Sequence, residues 1–422
     1  PAPKYLSANL SHENAIREGK KTPLPIPPPS ADAHRILLVA AVCRRWRGLA
    51  QRCVSALLVR ENLAVSRQAL ASAVAALPNL THLHLCDGSV ETLDDSFLAH
   101  LASSCPNLAI LHVGRRIAAP VGSGNYSDRE VEKISFFELL TSLERLEIVN
   151  DYMRPDSKLL TYRFGELVPC LRELTLRQRF WRYDVGSVEL PITLLTLLES
   201  LILSECNWLQ SLPPIEIGRL HSLKTLVLHK LPLVGSLPDS LCHLPSLETF
   251  LLIQCGSTSH QALQLPEAFC RLTTLQTLAI VKTPQVGLPW NIGELPRLHA
   301  LYLNGHNQRP RLPVSFTHLT ALTRLELSLC TIRELPEGLG SLTNLQELHI
   351  RSCPLLKKLP DSLTSLSSLE TLTVDDCVKL VSIPRRLDSL GRLKWLELTG
   401  CYDQTQPPTS LPLSLEVLED AC

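Results

Sequence analysis

Residues 345–400 read LQELHIRSCPLLKKLPDSLTSLSS, then LETLTVDDCVKLVSIPRRLDSLGR, then LKWLELTG, and each unit begins 24 residues after the one before it. In the first unit, aliphatic residues fill offsets 0, 3 and 5 (Leu345, Leu348 and Ile350), and Cys353 follows at offset 8. An aliphatic residue followed by proline lies in the middle of each full unit. The later units keep the same offsets, so the stretch is a repeat.

The aliphatic offsets predict the local structure of each unit. Offsets 3 to 5 form a short β-strand, in which successive side chains point to opposite faces, so offsets 0, 3 and 5 face inward and the residues between them face outward. The prolines prevent a second strand and favour irregular or 3₁₀ backbone on the return path. Because one unit cannot cover its own apolar side, neighbouring units must stack, and the pattern predicts a solenoid.

The same pattern extends over most of the chain. Its fourteen occurrences, the last of them incomplete, begin at Leu80, Leu108, Leu143, Leu171, Leu198, Leu223, Leu247, Leu275, Leu298, Leu322, Leu345, Leu369, Leu393 and Leu415. The pattern resembles the leucine-rich repeat, L-x-x-L-x-L-x-x-N/C. The resemblance implies an α/β solenoid over residues 70–422, a curved leucine-rich-repeat horseshoe of about fourteen repeats with short parallel strands on its concave face.

The second half of the array has a further signature. From Leu198 onward each unit carries an aliphatic–proline pair, such as Leu237-Pro238 and Leu359-Pro360. This half resembles the repeats of plant intracellular immune receptors and of plant Ras-group-related repeat proteins. For the immune receptors, the resemblance implies a sensor or scaffold with a nucleotide-binding domain upstream.

Residues 1–30 are polar at first and then dense in proline, which favours polyproline II and is incompatible with a helix interior. We interpret them as a disordered linker, and the alternative is a ligand for an aromatic-lined groove. The chain begins at Pro1 rather than at methionine, so we expect a fragment, a processed product or an incomplete gene sequence.

Residues 31–62 carry apolar residues at helical spacing and predict a small helical N-terminal segment. Val42 opens the run VCRRWRGL, which resembles the C-terminal half of an F-box, the helical module that docks a Skp-type adaptor in a ubiquitin ligase. The resemblance implies adaptor binding through Val42, Arg45 and Trp46. Residues 94–108, a helical run followed by Cys-Pro-Asn-Leu, resemble the repeats attached to F-boxes in F-box/leucine-rich-repeat proteins. The alternative is an amphipathic helix that covers the open end of the solenoid.

The composition favours a protein partner over nucleic acid or membrane. The chain has 422 residues, 45% of them hydrophobic and 5% aromatic, and its formal net charge is zero. A neutral chain has no overall attraction to nucleic acid or to an anionic membrane. The longest apolar runs fall well short of the ~20 residues that span a bilayer.

Six of the fourteen cysteines lie at offset 8, namely Cys206, Cys255, Cys330, Cys353, Cys377 and Cys401. A small thiol suits this position, which turns inward and caps the backbone of the adjacent repeat. We expect free thiols there, which favours a reducing compartment, the cytoplasm or the nucleus. No C-x-x-C pair occurs, so structural zinc is not expected.

The outward residues predict a binding surface on the concave face. At offset 4 the middle of the array is apolar, at Ile202, Val227, Leu251, Ala279 and Tyr302. A polar rim follows toward the C-terminus, with Arg324, Glu326, His349 and Trp395. An apolar centre with charged surroundings is typical of a protein interface. The β-propensity of isoleucine and valine is the alternative reason for the apolar centre.

A second candidate surface is the insertion at residues 177–183, which reads RQRFWRY. Arg179, Trp181 and Tyr183 belong to residue types that are enriched in binding hot spots. The alternative is a packed loop with the aromatic side chains inside.

The sequence contains no H-E-x-x-H, EF-hand, Walker or nucleophile-elbow motif. His82 and His84 share a strand and face outward, and two histidines alone rarely form a metal site, so we expect both to face solvent. We therefore expect no enzyme activity, no cofactor and no metal.

These observations lead to a functional hypothesis of non-catalytic protein recognition by the concave face. Its most specific form is a substrate-recruiting F-box/leucine-rich-repeat subunit of a cullin-type ubiquitin ligase, with the client on the concave face and the adaptor near Trp46. The alternative is a sensor or scaffold of plant-type intracellular immune signalling. Both forms predict a cytoplasmic or nuclear protein.

Overall fold

The computed structural model describes residues 54–59, 67–85, 95–114, 141–153, 170–180, 192, 195–207, 209, 211–232, 234–256, 263, 265–283, 286–305, 312–401 and 416–418. The chain divides into two compact units, Pro1–Arg172 and Glu173–Cys422. Among the described residues, no helix combines the length and the apolar character that a bilayer crossing requires.

Unit 1 alternates strands with helices. Its elements are β1 (Ala56–Val59), α1 (Arg67–Ala75), β2 (His82–Leu85), α2 (Asp95–Ser104), β3 (Ile110–Val113) and β4 (Arg145–Met153). Each strand pairs in parallel with the next one along the chain. Leu70 and Val74 of α1, one helical turn apart, are buried together with Leu77 just beyond the helix. The helices therefore cover the sheet with one apolar stripe.

Strand β1 adds a repeat that precedes the first predicted one. Val54, Leu57 and Val59 take offsets 0, 3 and 5 and are buried, and Leu57 pairs with Leu83 of β2. The sheet thus reaches into residues 31–62, for which the sequence predicts a helical segment, and begins before residue 70. The aliphatic triplet is present there, but valine replaces the leading leucine.

Unit 2 is a longer stack of the same kind. Its strands are β5 (Glu173–Phe180), β6 (Ser200–Ser204), β7 (Thr225–His229), β8 (Thr249–Ile253), β9 (Thr277–Val281), β10 (Ala300–Asn304), β11 (Arg324–Ser328), β12 (Glu347–Arg351), β13 (Thr371–Asp375), β14 (Trp395–Thr399) and β15 (Glu416–Leu418). They pair in parallel in chain order. Sequential parallel pairing of short strands is the topology of a leucine-rich-repeat solenoid.

In the repeats of β6 to β13, the return path contains a short helix or 3₁₀ segment. Its helices are α3 (Pro214–Ile217) and the 3₁₀ segments Asp239–His243, Glu267–Arg271, Ile292–Glu294, Val314–His318, Glu337–Ser341, Asp361–Ser365 and Leu387–Ser389. Most of these segments follow directly on the proline of the aliphatic–proline pair. Proline fixes φ near −65° and removes a donor, so a tight turn forms where a strand cannot.

The pairing register confirms the predicted inward face. In neighbouring repeats, offset 3 pairs with offset 3, as in Leu201 with Leu226 and Leu226 with Phe250. These side chains have no exposed surface. Phe250 replaces the usual leucine and lies 5.9 Å from the ring of Phe269, centroid to centroid. Strands β6 to β14 extend over offsets 2 to 6, one residue longer at each end than predicted.

Each strand from β6 to β14 ends in the same unusual conformation. The residue at offset 7 has a positive φ throughout, at Glu205, Lys230, Gln254, Lys282, Gly305, Leu329, Ser352, Asp376 and Gly400. The amide of Glu205 donates to the carbonyl of His229 in the next repeat at 2.8 Å, and the later repeats continue this ladder. The left-handed conformation costs a non-glycine residue roughly 1–2 kcal/mol, so inter-repeat hydrogen bonds hold it.

The offset-8 residue turns inward as predicted. The thiol of Cys255 donates to the carbonyl of Leu228 in the preceding repeat at 3.2 Å, and Cys330 repeats this contact with Leu303 at 3.4 Å. Burial raises the pKa of Cys255 to about 12. In the repeat of β9 the position is Thr283, whose hydroxyl donates to Leu252 at 3.3 Å. A small donor, rather than sulfur as such, meets the requirement.

Strand β15 corrects the last predicted repeat. The sequence pattern places offset 0 at Leu415, but Glu416 pairs with Trp395 and Val417 pairs with Leu396, so offset 0 is Ser414. A shift of one residue exchanges the two faces of a strand. Val417, not Leu418, therefore takes the offset-3 register position beside Leu396.

Candidate functional site

The register brings the predicted concave residues of unit 2 into two parallel rows. The offset-4 row, called the central row below, contains Thr175, Ile202, Val227, Leu251, Ala279, Tyr302, Glu326, His349, Thr373 and Glu397. Arg324 and Trp395 lie beside it in the offset-2 row, which also contains Ala300, Glu347 and Thr371. Both rows face away from the leucine core, because they alternate with the inward offsets.

The apolar part of the central row is not the exposed patch that the sequence predicts. Val227 and Leu251 are each 1% exposed, Ala279 is fully buried and Tyr302 is almost so, whereas Ile202 is half-buried. Parallel strands stand only about 4.8 Å apart, so aliphatic side chains of one row cover one another. Alternation determines which face a side chain takes, but it does not determine its exposure. A charged substitution at Val227 or Leu251 would therefore change stability before it changed binding.

The polar part of the rows forms a connected network. Arg324 contacts the carboxylate of Glu347 across the β11–β12 pair, and Nε2 of His349 lies 3.4 Å from that carboxylate. Burial by itself raises the pKa of Glu347, but Arg324 and then His349 outweigh it and hold the pKa below its usual value. Glu347 is therefore ionised at neutral pH and fixes both neighbours.

A second set of contacts lies on the other side of the central row. Oε1 of Glu326 accepts the hydroxyl of Ser328 at 3.2 Å and lies 3.8 Å from a guanidinium nitrogen of Arg351. At the C-terminal end, Thr373 donates to Glu397 at 3.3 Å and Thr399 donates to Asp375 at 2.7 Å. Glu326 is largely buried, whereas Arg351 keeps 43% of its side chain exposed. Arg351 therefore has donors free to reach a partner.

Two polar atoms on this surface have no partner among the residues that the structure describes. They are Oδ1 of Asn304, at the end of β10, and Nδ1 of His349. Asn304 is only 8% exposed. Because an unpaired buried polar atom costs roughly 1–3 kcal/mol, such atoms are rare, and one on an outward face is a place for a ligand donor. Sequence reasoning did not single out Asn304, since an isolated asparagine at a strand end carries no motif.

In unit 1 the offset-4 positions carry two stacked imidazoles. The rings of His84 and His112 are parallel at 3.7 Å, and Nδ1 of His112 lies 2.9 Å from Oε2 of Glu147. Burial, and then His112, lower the pKa of His84 to about 4. His82 is exposed as predicted, but His84 is half-buried against its neighbour. The strand register explains why His84 is less exposed than predicted, because it places His84 directly beside His112.

This histidine pair gives no metal site. Among the described residues, no group of three or more histidine, cysteine, aspartate or glutamate side chains is arranged to hold a metal ion. The stacked rings place one imidazole over the other rather than around a common centre.

The N-terminal end of unit 2 holds a buried carboxylate between two cations. Glu205 is 5% exposed, with Oε2 at 2.9 Å from Nε of Arg177 and Oε1 at 3.2 Å from Nζ of Lys230. Burial by itself raises the pKa of Glu205, but Arg177 and then Lys230 outweigh it and lower the pKa to about 2. The charged group therefore links three consecutive repeats. Arg177, which the sequence assigns to an insertion, belongs to β5.

The remaining predicted site residues have a different status. Arg179 lies within β5, so the strand extends into the predicted insertion. Trp181 and Tyr183 lie outside the described residues, as do the proline-rich residues 1–30. The predicted adaptor-binding residues Val42, Arg45 and Trp46 also lie outside them.

Comparison with known proteins agrees with this architecture. The family described as Leucine Rich Repeat matches residues 344–366. A disease resistance-like protein of Arabidopsis thaliana, DSC1, is 31% identical over 162 residues. That stretch is 38% of this chain and 13% of the length of the Arabidopsis protein.

Two solved structures are similar in fold. An internalin of Listeria monocytogenes superposes with a TM-score of 0.54 at 17% identity, over 93% of this chain and 96% of the internalin. A leucine-rich-repeat protein of Leptospira interrogans gives 0.51 at 20% identity, over 80% and 82% of the two chains. At such identities the likeness concerns the fold alone. The repeat pattern, the parallel strand order and these matches together show that the chain has the fold of a leucine-rich-repeat solenoid.

Proposed function

We propose that the chain is a non-catalytic recognition protein that binds another protein through the outward face of β10–β14. The observation that carries this proposal is the orphaned Oδ1 of Asn304 beside a network of half-exposed charged groups. In a charge network that serves only stability, the donors and acceptors hydrogen-bond to one another. Here Oδ1 of Asn304 has no donor among the described residues, and the donors of Arg351 are partly exposed. A partner that supplies N–H groups and carboxylates would satisfy both.

The composition of the surface also supports a protein partner. Arg324 and Arg351 alternate with Glu347, Glu326 and Asp375 across β11–β13, so neither charge sign dominates. A polyanion would meet the carboxylates as well as the arginines. Trp395, half-buried in the offset-2 row, adds an aromatic residue of the kind enriched in hot spots. A plant peptide hormone receptor, solved in complex with RGF2, has a similar fold, with 18% identity and a TM-score of 0.50. It is an example of this fold with a bound ligand.

For the finer function, we favour a sensor or scaffold of plant-type intracellular immune signalling. The support is the 31% identity over 162 residues to a disease resistance-like protein, together with the aliphatic–proline pairs of this chain's own repeats. Localisation in the cytoplasm or nucleus belongs to the same proposal, and it rests on the buried free thiols at offset 8.

The second candidate is the substrate-recruiting subunit of a cullin-type ubiquitin ligase. The observation in its favour is the F-box-like run that contains Val42, Arg45 and Trp46. It predicts that a Skp-type adaptor co-purifies with the protein and is lost on Trp46→Ala. Recovery of no such adaptor with the wild-type chain would remove this candidate.

The recognition proposal is tested by affinity capture from plant tissue extract. Wild type is compared with an Arg324→Ala/Arg351→Glu variant, and Arg392→Glu, an exposed residue outside the network, is the matched control. We expect specific partners with wild type and with the control, and their loss with the double variant. Because Arg324 and Arg351 keep 37% and 43% of their side chains exposed, solvent screens their ion pairs, and the double variant should remain folded. Partners retained equally by all three proteins would refute the binding surface.

A further inference from the structure

The residues that directly follow the repeat prolines form an exposed row in unit 2. From the repeat of β7 to that of β12 these residues are Asp239, Glu267, Trp290, Val314, Glu337 and Asp361, and the six are called the turn row below. In the neighbouring repeats the same position is taken by exposed Pro214 before the row and by exposed Arg385 after it. Five members of the turn row open a 3₁₀ segment, and Trp290 stands two residues before one. The row belongs to the return path of the repeats, so it is separate from the outward face of the strands.

Two adjacent members of the turn row are large, apolar and exposed. Trp290 is 70% exposed and Val314 is 84% exposed. The hydroxyl of Ser315 donates to the carbonyl of Trp290 at 2.5 Å, which brings the two turns side by side. A Cβ on Gly293 would lie 1.9 Å from the carbonyl oxygen of Ser315, so only glycine permits this approach. The apolar pair is therefore one small surface held in place by two backbones.

The turn row is acidic on both sides of the apolar pair. Asp239 and Glu267 precede it, and Glu337 and Asp361 follow it, all of them exposed. Nζ of Lys358 lies 2.7 Å from Oε1 of Glu337. Lys358 also interacts electrostatically with Asp361. Within the described part of the chain, no basic side chain forms a salt bridge with the carboxylates of Asp239, Glu267 and Asp361. The row thus presents two acids, then tryptophan and valine, then two acids.

This order selects the chemistry of a partner. Covering exposed tryptophan and valine with an apolar surface is energetically favourable. Tryptophan is also prominent among hot-spot residues. The flanking carboxylates repel anionic lipid and nucleic acid, and they attract lysine and arginine. Four residues after Glu267 and Trp290 of the turn row lie Arg271 and Glu294. Their charges are opposite, so these neighbours add no preference for a basic or an acidic partner.

We propose that the turn row is a second docking surface, for a segment of a partner protein that has an apolar centre and basic residues on both sides. The six turns are separated by five repeat spacings of at least about 4.8 Å, or roughly 24 Å in all. About sixteen residues of α-helix, at 1.5 Å per residue, reach that length. The surface does not depend on Asn304, Arg324 or Arg351, so it stands independently of the recognition face on the strands.

The test is a titration of the full chain into a labelled synthetic peptide of about sixteen residues, with lysines at both ends and leucine and isoleucine between them. Fluorescence anisotropy reports binding. We expect saturable binding by wild type, at least about tenfold weaker binding by Trp290→Ala/Val314→Ala, and weakening by added salt. A peptide with glutamates in place of the lysines should not bind.

Matched controls separate this surface from other causes. Val378→Ala/Val381→Ala removes exposed apolar side chains elsewhere in unit 2 and should bind like wild type. All variants should keep the wild-type melting curve, because the altered side chains are exposed. No binding by wild type up to about 100 μM peptide, equal binding by the Trp290 variant, or equal binding of the acidic peptide would overturn the proposal. Trp290-dependent binding to anionic vesicles would overturn it as well, because it would assign the surface to a membrane.

Discussion

The buried carboxylate of Glu205 offers a quantitative test of how neighbouring repeats are joined. Replacement by glutamine keeps the size and the hydrogen-bonding shape of the side chain, but it removes the charge that Arg177 and Lys230 hold at 2.9 and 3.2 Å. The folded-state pKa of Glu205 is about 2, below the ordinary value of 4.5. Glu205→Gln should therefore destabilise the protein at neutral pH.

The magnitude follows from this difference in pKa. One pKa unit corresponds to about 1.4 kcal/mol, so the difference sets an upper limit of about 3 kcal/mol. Arg177 and Lys230 are 43% and 41% exposed, and solvent screens their charges. We expect a loss of about 1–2 kcal/mol at pH 7, measured as the difference in the free energy of unfolding from urea titrations.

The contribution of Glu205 to stability should depend on pH in a defined direction. Because the folded-state pKa is depressed, the stabilisation by Glu205 is fully present above the unfolded-state pKa and is lost as the pH falls from about 5 toward 2. The difference between wild type and Glu205→Gln should therefore shrink over this range. Glu370→Gln is the matched control, since Glu370 also bridges two repeats, to Lys394 at 2.7 Å, but lies on the surface. It should cost about 0.5 kcal/mol or less. Equal losses in the two variants, or a Glu205 effect that does not change with pH, would refute the reasoning.

Three further outcomes test the packing of the repeats. Leu278→Ala, at a fully buried inward position, should cost about 2–5 kcal/mol in urea unfolding, and a loss below about 1 kcal/mol would contradict the assigned face. Gly400→Ala should destabilise by about 1 kcal/mol or more, because its φ is +60° and the new Cβ would lie 3.0 Å from backbone of the preceding repeat, whereas Gly391→Ala meets nothing within 4 Å and should be neutral or stabilising. A thiol reagent at pH 8, followed by peptide mass spectrometry, should label exposed Cys170 much faster than Cys353, whose pKa is raised to about 12 by hydrogen bonding to Cys330 and by burial. Similar labelling rates at the two thiols would contradict the inward placement of offset 8.

Much of the fold could be predicted from the sequence, because the repeat states the same physical requirement many times. The aliphatic triplet determines both the strand and its buried face, and thirteen of the fourteen predicted signatures have the correct register. The Leu415 signature is wrong by one residue because Leu415 and Leu418 have the spacing of offsets 0 and 3, whereas the register gives offset 3 to Val417. The repeat at Val54 is missed because valine satisfies the same requirement as leucine.

The properties that depend on three-dimensional neighbours were not predictable in this way. The exposure of Val227 depends on side chains from adjacent strands, which no single repeat specifies. The left-handed residue at offset 7 has no shared identity, since Glu205, Leu329 and Gly400 all occupy it. The stack of His84 on His112 becomes evident only once the two strands are aligned.

The candidate site was predicted in part for the same reason. Its charged residues were identifiable because charge at an outward strand position is visible in the pattern. The partnerless Oδ1 of Asn304 was not, because hydrogen-bond satisfaction is a property of the assembled surface. The surface that we propose therefore lies nearer the polar end of the array than the sequence alone suggests.

The central claim is that the outward face of β10–β14 contacts a protein partner, and site-specific photocrosslinking tests it most directly. A photoreactive amino acid is placed at Trp395, in the offset-2 row of β14, and in a second protein at exposed Arg392, outside the strand. After irradiation in plant tissue extract, the account predicts a discrete protein adduct from position 395 and none from position 392. Adducts from position 392 with none from position 395 would contradict it.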